Sequence, residues 1–304
     1  IADADLRDGG KHIDADALLA FVRDAKHQGR ARRLALDLAE RLQPGTRDRL
    51  IPGWLDDPEF RYEAVAALVG EGDARTKAGD KGRAVALYRN AFTASQDMAQ
   101  AAAIAAKLKD QGVAVSVHEH MGFLRDWYII GPFDAGGMKG FLTVYPPEEK
   151  IDLGAEYAGK GGRQVRWQRY RVEEPPPAAA DARSALVNLD HALGTTFDAV
   201  AYAYTAVRVP EAREVEFRGA ADDNFTVWVN GRKVFGFEEY RNGVRLDRHR
   251  FRVPLRAGVN TVLVKVCQAP IDPASREPNW EFFLRAVDET GKGTAFPTAL
   301  PVTK

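Results

Sequence analysis

Residues 221–236 read Ala221-Asp222-Asp223-Asn224-Phe225-Thr226-Val227-Trp228-Val229-Asn230-Gly231-Arg232-Lys233-Val234-Phe235-Gly236, and this stretch decides how the second half of the chain is read. Phe225, Val227 and Val229 alternate with Thr226, Trp228 and Asn230, the period of a strand with one face turned to a core. Asn230-Gly231 then supplies two residues that tolerate positive φ, as a type I′ hairpin turn requires, before Val234 and Phe235 resume a strand. Three polar side chains, Asp222, Asp223 and Asn224, stand where the chain enters the hairpin, a place where a rigid β scaffold presents binding loops.

Working outward, the strand period holds over most of the C-terminal part. Strands are expected at Trp127–Ile130, Gln164–Val172, Ala185–Leu189, Ala199–Val209, Glu214–Gly219, His249–Val253, Thr261–Cys267 and Trp280–Val287,. Val113-Ala114-Val115-Ser116-Val117 reads as a first short strand, and Gly131-Pro132-Phe133-Asp134 as the end of the second,. Strands at this spacing without intervening helices argue for an antiparallel β-sandwich or jelly roll.

The N-terminal part has helical periodicity instead. Asp14-Ala15-Asp16 precedes the apolar run Ala17–Val22, and further helices are expected over Ala31–Leu42, Thr46–Ile51, Pro58–Val69, Lys81–Thr93 and Asp97–Lys109, with Gly45, Gly70, Gly79 and Gly112 as breaks,. Gly79-Asp80 with Ala84, Tyr88 and Ala91 resembles a tetratricopeptide helix; an ordinary amphipathic helical hairpin accounts for the same spacing,. The expected organisation is an α+β multidomain chain, with a helical-repeat-like domain over residues 1–118 and a β-sandwich over 119–304.

Composition bounds the function. Lys plus Arg and Asp plus Glu are both 43, so no global charge draws the chain to nucleic acid, and no apolar run approaches the ~20 residues of a membrane span,. The single cysteine, Cys267, excludes an internal disulfide and any multi-cysteine metal site,. None of the four serines lies in G-x-S-x-G, and no P-loop or dinucleotide fingerprint occurs,. No catalytic constellation emerges, so the expectation is a non-enzyme.

The run Asp222 to Gly231, followed by Val253-Pro254-Leu255-Arg256-Ala257-Gly258-Val259-Asn260 and Thr261–Val266, resembles the galactose-binding-like β-sandwich, with Trp280–Arg285 as its closing strand. In the second of these stretches Gly258 permits a left-handed turn that Asn260 can hydrogen-bond. The resemblance implies a jelly roll of the kind found in non-catalytic domains of β-galactosidases and β-glucuronidases and in carbohydrate-binding modules. It also implies a secreted or periplasmic bacterial setting. The adjacent aspartates resemble, in addition, the calcium site of protective-antigen-type lectin domains.

On the residues themselves, Asp222, Asp223 and Asn224 could ligate Ca²⁺, which takes six to eight oxygens, or could cap the turn into the hairpin. No other cofactor is expected. Trp228, Tyr240 and Trp280 could form a platform for the apolar face of a sugar ring, with Glu238, Glu239, Arg241 and Asn242 as polar partners; the alternative for each tryptophan is core packing. Trp228 is favoured because it lies opposite Phe225, Val227 and Val229. Glu238 paired with Asp222 or Asp223 as glycosidase carboxylates is set against solvated loop charges. His118-x-His120 would place two imidazoles on one strand face. The expected function is non-catalytic carbohydrate binding, with a protein-interaction module, or an accessory region of a larger polysaccharide-degrading enzyme, as alternatives.

Overall fold

The computed structural model describes residues 13–240, 243–271 and 279–301. The chain divides into two compact units, with the boundary between Val115 and Ser116. Among the described residues no helix is long and apolar enough to cross a membrane.

The first unit is helical. Asp14 caps α1 (Ala15–Arg23), its carboxylate accepting from the Asp16 and Ala17 amides, and α2 (Gly29–Leu42) packs against it. Val22, Leu36 and Phe60 are buried between them. Arg32, 2% exposed, donates Nε to the Val22 carbonyl at 2.7 Å and pairs with Asp57. A buried guanidinium persists only when its donors are met in this way.

A short α3 (Thr46–Leu50) leads to α4 (Arg61–Lys77), α5 (Lys81–Ala94) and α6 (Met98–Asp110). The expected break at Gly70 does not occur, and α4 runs on for seven residues. Gly72 explains why a glycine is inside this helix: a Cβ there would lie 2.5 Å from the Tyr88 ring of α5, so the residue allows close approach,. The left-handed Gly79 and Gly112 do end α4 and α6,. Ala84, Tyr88 and Ala91 are all buried, as the helix-packing reading requires, but the helices form a packed set and not a demonstrated repeat.

The second unit begins with a correction. Val113–Val117 forms no strand; Ser116 caps the single turn α7 (Val117–His120), accepting the Glu119 amide on its hydroxyl at 3.0 Å. The short polar side chain at the cap competes successfully with β propensity. His118 is therefore buried, its Nε2 3.0 Å from the Ser184 hydroxyl, and does not share a strand face with His120.

Among the described residues twelve strands follow, and the hydrogen-bonded pairs among them are antiparallel. β1 (Asp126–Asp134), β4 (Gln168–Arg171), β6 (Ala199–Val209), β8 (Asn224–Val229), β9 (Arg232–Phe237) and β11 (Gly258–Gln268) form a six-stranded sheet in the order β4-β1-β6-β11-β8-β9. β5 (Val187–Asn188), β7 (Arg213–Asp222), β10 (His249–Leu255) and β12 (Glu281–Val287) form a four-stranded sheet in the order β10-β7-β12-β5. β2 (Glu156–Ala158) and β3 (Gln164–Arg166) pair separately. One apolar core, including Phe225, Val227, Val264, Phe217, Phe282 and Trp280, draws on both large sheets.

Gly131-Pro132 does not end β1. The strand continues to Asp134 through a shift of register between Ile130 and Phe133, where Gly131 (φ 149°) lies against the backbone of β6,. The hairpin turn forms as read, Asn230 at φ 52° and Gly231 at φ 78°.

Gly258 is left-handed at φ 90°, and Asn260, fully buried, closes the turn around it. Its Oδ1 accepts from the Arg256 amide at 3.0 Å and from Asn230 Nδ2 at 2.8 Å, while its Nδ2 donates to the Arg256 carbonyl at 2.7 Å. One side chain thus ties the hairpin tip to the β10–β11 turn. Replacing Asn260 by Ala leaves those backbone groups and Asn230 without their partner, and is expected to cost about 2–3 kcal/mol. A lower urea midpoint for the unfolding of the β unit measures this; an unchanged midpoint would refute the role.

Candidate functional site

The central strands of the large sheet have little polar surface on either face. In β6 the small residues Ala199, Ala201 and Ala203 enter the core between the sheets, while Val200, Tyr202 and Tyr204 point the other way. In β11 Val262, Val264 and Val266 point inward and Leu263 and Cys267 outward. The outward side chains are covered by residues from the segment 133–167, among them Phe133, Tyr145, Val165 and Trp167. A sheet buried on both faces reads as continuous apolar strands, which is how Ala199–Val209 reads with the one late exception of Arg208.

Lys265 lies on that outward face and is 2% exposed. Its Nζ donates to the Phe141 carbonyl at 3.2 Å, the Thr143 carbonyl at 2.6 Å and Glu148 Oε1 at 2.7 Å, which uses all three ammonium donors,. Tyr202 donates its hydroxyl to the same Glu148 oxygen. Burial, reinforced by Glu148, raises the Tyr202 pKa far above that of a free phenol, so the ring is a permanent donor here,. Burial pushes the Tyr145 hydroxyl up to about 12. The network pins the loop that leads into the one-turn helix α8 (Pro146–Glu149) onto the sheet.

Where α8 meets the hairpin, the cover is incomplete. Trp228 on β8, half-buried, with Tyr204 and Leu263 beside it, lines a cleft of 250 Å³ whose opposite wall is Pro147, Glu148, Glu149 and Lys150. The cleft joins a flat aromatic surface to carboxylates and an ammonium group. That is the combination able to stack the C–H face of a ring while hydrogen-bonding its hydroxyls.

The residues singled out from the sequence divide between this cleft and other places. Trp228 points to the side opposite Phe225, Val227 and Val229, as its spacing implies. Trp280 is fully buried in the inter-sheet core and is no platform; it shares the inward face of Phe282, Leu284 and Ala286, an alternation already visible in the sequence. Tyr240 lies at the other end of β8, where Glu239 donates its amide to Asn224 Oδ1 at 2.6 Å. Four residues of strand, roughly 13 Å, separate Asn224 from Trp228. The Tyr240 hydroxyl donates to the Met138 carbonyl at 2.8 Å, and burial first, then nearby charges, raise its pKa. Glu238 is exposed beside it. Arg241 and Asn242 lie outside the described residues. The single platform of Trp228, Tyr240 and Trp280 is therefore not assembled.

The Asp222-Asp223-Asn224 run marks the crossing from one sheet to the other, since β7 ends at Asp222 and β8 begins at Asn224. Asp223, 3% exposed, accepts the Ala269 amide on Oδ2 at 2.7 Å, and its own amide donates to the Cys267 carbonyl. Asn224 accepts the Glu239 amide, so Asp223 and Asn224 each bind a backbone amide distant in sequence, and neither caps the turn into the hairpin through these bonds. Among the described residues no three His, Cys, Asp or Glu side chains converge where a metal ion could sit. Cys267, opposite Asn224 and fully buried, has its thiol pushed up to about 12 by desolvation.

Glu148, Lys265 and Tyr204 escaped the sequence reading. A signal existed for Lys265, a lone charge inside Val262-Leu263-Val264-Lys265-Val266-Cys267; nothing marks Glu148 among its charged neighbours.

No protein-family model matches the chain, and no curated protein matches it. Solved structures similar to it include a glycosyl hydrolase family 2 member from Bacteroides cellulosilyticus, at 14% identity and a TM-score of 0.30, covering 55% of this chain and 20% of that one. A β-glucuronidase from an uncultured Clostridium species is similar at 10% identity and TM-score 0.30, over 55% of this chain and 29% of that one. A β-glucuronidase from Faecalibacterium prausnitzii follows at 12% and 0.29, over 55% and 32%. The chain covers at most about a third of the length of these structures.

The sheet crossing has a pH signature. Burial, then the charge and hydrogen bond of Asp223, then Glu281, push the Asp222 carboxyl up to about 7. Glu281 and Asp190 are raised too, chiefly by burial. At these carboxyls the folded chain holds protons that the unfolded chain loses near pH 4, so their contribution to stability falls as pH rises from about 4 to about 7,. Asp222→Asn, which imitates the protonated side chain, is expected to raise the thermal midpoint by a few degrees at pH 8 and to leave it unchanged at pH 4. Equal effects at both pH values would refute the assignment.

Proposed function

We propose that the β unit is a non-catalytic carbohydrate-binding module that takes a sugar in the Trp228 cleft. The observation that carries this reading is the half-covered Trp228 indole on the outer face of the large sheet, walled by Glu148, Glu149 and Lys150. At 250 Å³ the cleft is below the ~300–1,000 Å³ of drug-sized ligand sites, a size suited to one ring of a glycan chain,. Its rim is partly open, which suits a ligand that continues beyond the cleft. A secreted or periplasmic location, where glycans are met, belongs to the same proposal.

The proposal places the sugar at Trp228 and not at Asp222-Asp223-Asn224, where Asp223 and Asn224 each accept a backbone amide. A protein-partner reading draws its own support from Leu142 and Val144, 79% and 61% exposed on the loop before α8. Large apolar side chains clustered on one exposed loop favour a protein contact.

A glycan array probed with the whole chain tests the two readings. Binding that survives a calcium chelator and falls at least ~10-fold in Trp228→Ala is the expected result. Undiminished binding by Trp228→Ala would overturn the cleft as the site, and a chain that binds no glycan would leave the protein-partner reading in its place.

A further inference from the structure

The two oxygens of Glu148 are not equivalent. Oε1 takes both the buried Lys265 ammonium and the Tyr202 hydroxyl. Oε2 accepts no hydrogen bond from the described residues, and Glu148 and Trp228 line the same cleft. Its side chain is 13% exposed and is held in place by these two donors.

A carboxylate in this position is a fixed acceptor. Lys265 pairs with Oε1 and does not compete for the second oxygen, and a carboxylate paired in this way offers lone pairs and no donor,. The group it suits is a hydroxyl, or an adjacent pair of hydroxyls, on a ring stacked against Trp228. A carboxylate, sulfate or phosphate on the ligand would set acceptor against acceptor with no proton between them. Among the other charged groups of the wall, Glu149 adds negative charge, and Lys150 is 80% exposed with Asp152 at 3.6 Å.

We propose that Glu148 is the polar anchor of the Trp228 cleft, and that the cleft takes uncharged sugar rings and rejects acidic ones. This rests on the sugar-binding reading of the cleft and adds to it the ligand class and the residue that selects it. Lys265 and Tyr202 are positioning residues, acting through Glu148 and not on the ligand.

The test is calorimetric titration of the whole chain with methyl glycosides of glucose, galactose and mannose, each against its uronic acid counterpart. The uncharged member of the best-bound pair is expected to bind at least tenfold more tightly. Glu148→Gln, which turns the free acceptor into a donor, is expected to lose at least tenfold toward that sugar. Because this change removes the counter-charge of Lys265, the double variant Glu148→Gln with Lys265→Met, checked by circular dichroism, gives the same readout without a stranded ammonium. Equal or tighter binding of the uronic acids, with binding still lost in Trp228→Ala, would overturn the selectivity and leave the cleft reading standing. Binding indifferent to Trp228→Ala would sink the cleft reading itself, and no binding by any member of the panel would overturn both.

Discussion

A strand pair that is apolar on both faces must be covered twice, and β6 with β11 imposes that constraint on the whole β unit. The inward residues are met by the four-stranded sheet, whose Phe217, Phe282, Leu284 and Trp280 close the core. The outward residues need a second cover, and residues 133–167 provide it with Phe133, Tyr145, Val165 and Trp167. The cover stops short of the hairpin end, leaving Trp228 half-buried. The candidate site is thus the margin of a structural layer, where the need to bury the sheet gives way to solvent.

Lys265 fixes where that margin lies. Burying an ammonium group is costly unless each donor is met, and here two loop carbonyls and Glu148 meet all three,. The rings of Tyr145 and Tyr202 lie 5.1 and 5.8 Å from the ammonium and add cation–π stabilisation,. Breaking one member strands the rest, so the loop before α8 is held as a unit. What a buried ion pair gives here is position, not net stability: it specifies which carboxylate oxygen is consumed and which remains.

The sheet crossing at Asp222-Asp223-Asn224 is a structural joint between the two large sheets. The chain leaves one sheet and enters the other within a residue, and the Asp223 amide at the joint donates to the Cys267 carbonyl of β11. Asp223 accepts the Ala269 amide and Asn224 the Glu239 amide, taking the place of missing backbone acceptors,. The raised Asp222 carboxyl reflects burial at the joint first, and then the neighbouring Asp223 and Glu281.

Local chemistry was legible from the residues alone. Asp14 as a cap, Asn230-Gly231 as a hairpin turn, Gly258 with Asn260 as a closed turn, and the period of most strands depend on neighbours within a few positions. The inward and outward faces of β8 followed from alternation, and so did the outward direction of Trp228. Local signals misled at Gly70, which lies inside a continuous helix, and at Gly131-Pro132, which sits inside a strand whose register shifts against β6. The assembly of the site was decided by tertiary structure. Trp228 and Glu148 are eighty positions apart, joined only because Lys265 pins a loop across the outer face, while Trp280 and Tyr240 were carried to other surroundings by strand pairing. Sequence fixes the side of a strand on which a residue points; what covers that side depends on distant segments whose encounter no local pattern encodes.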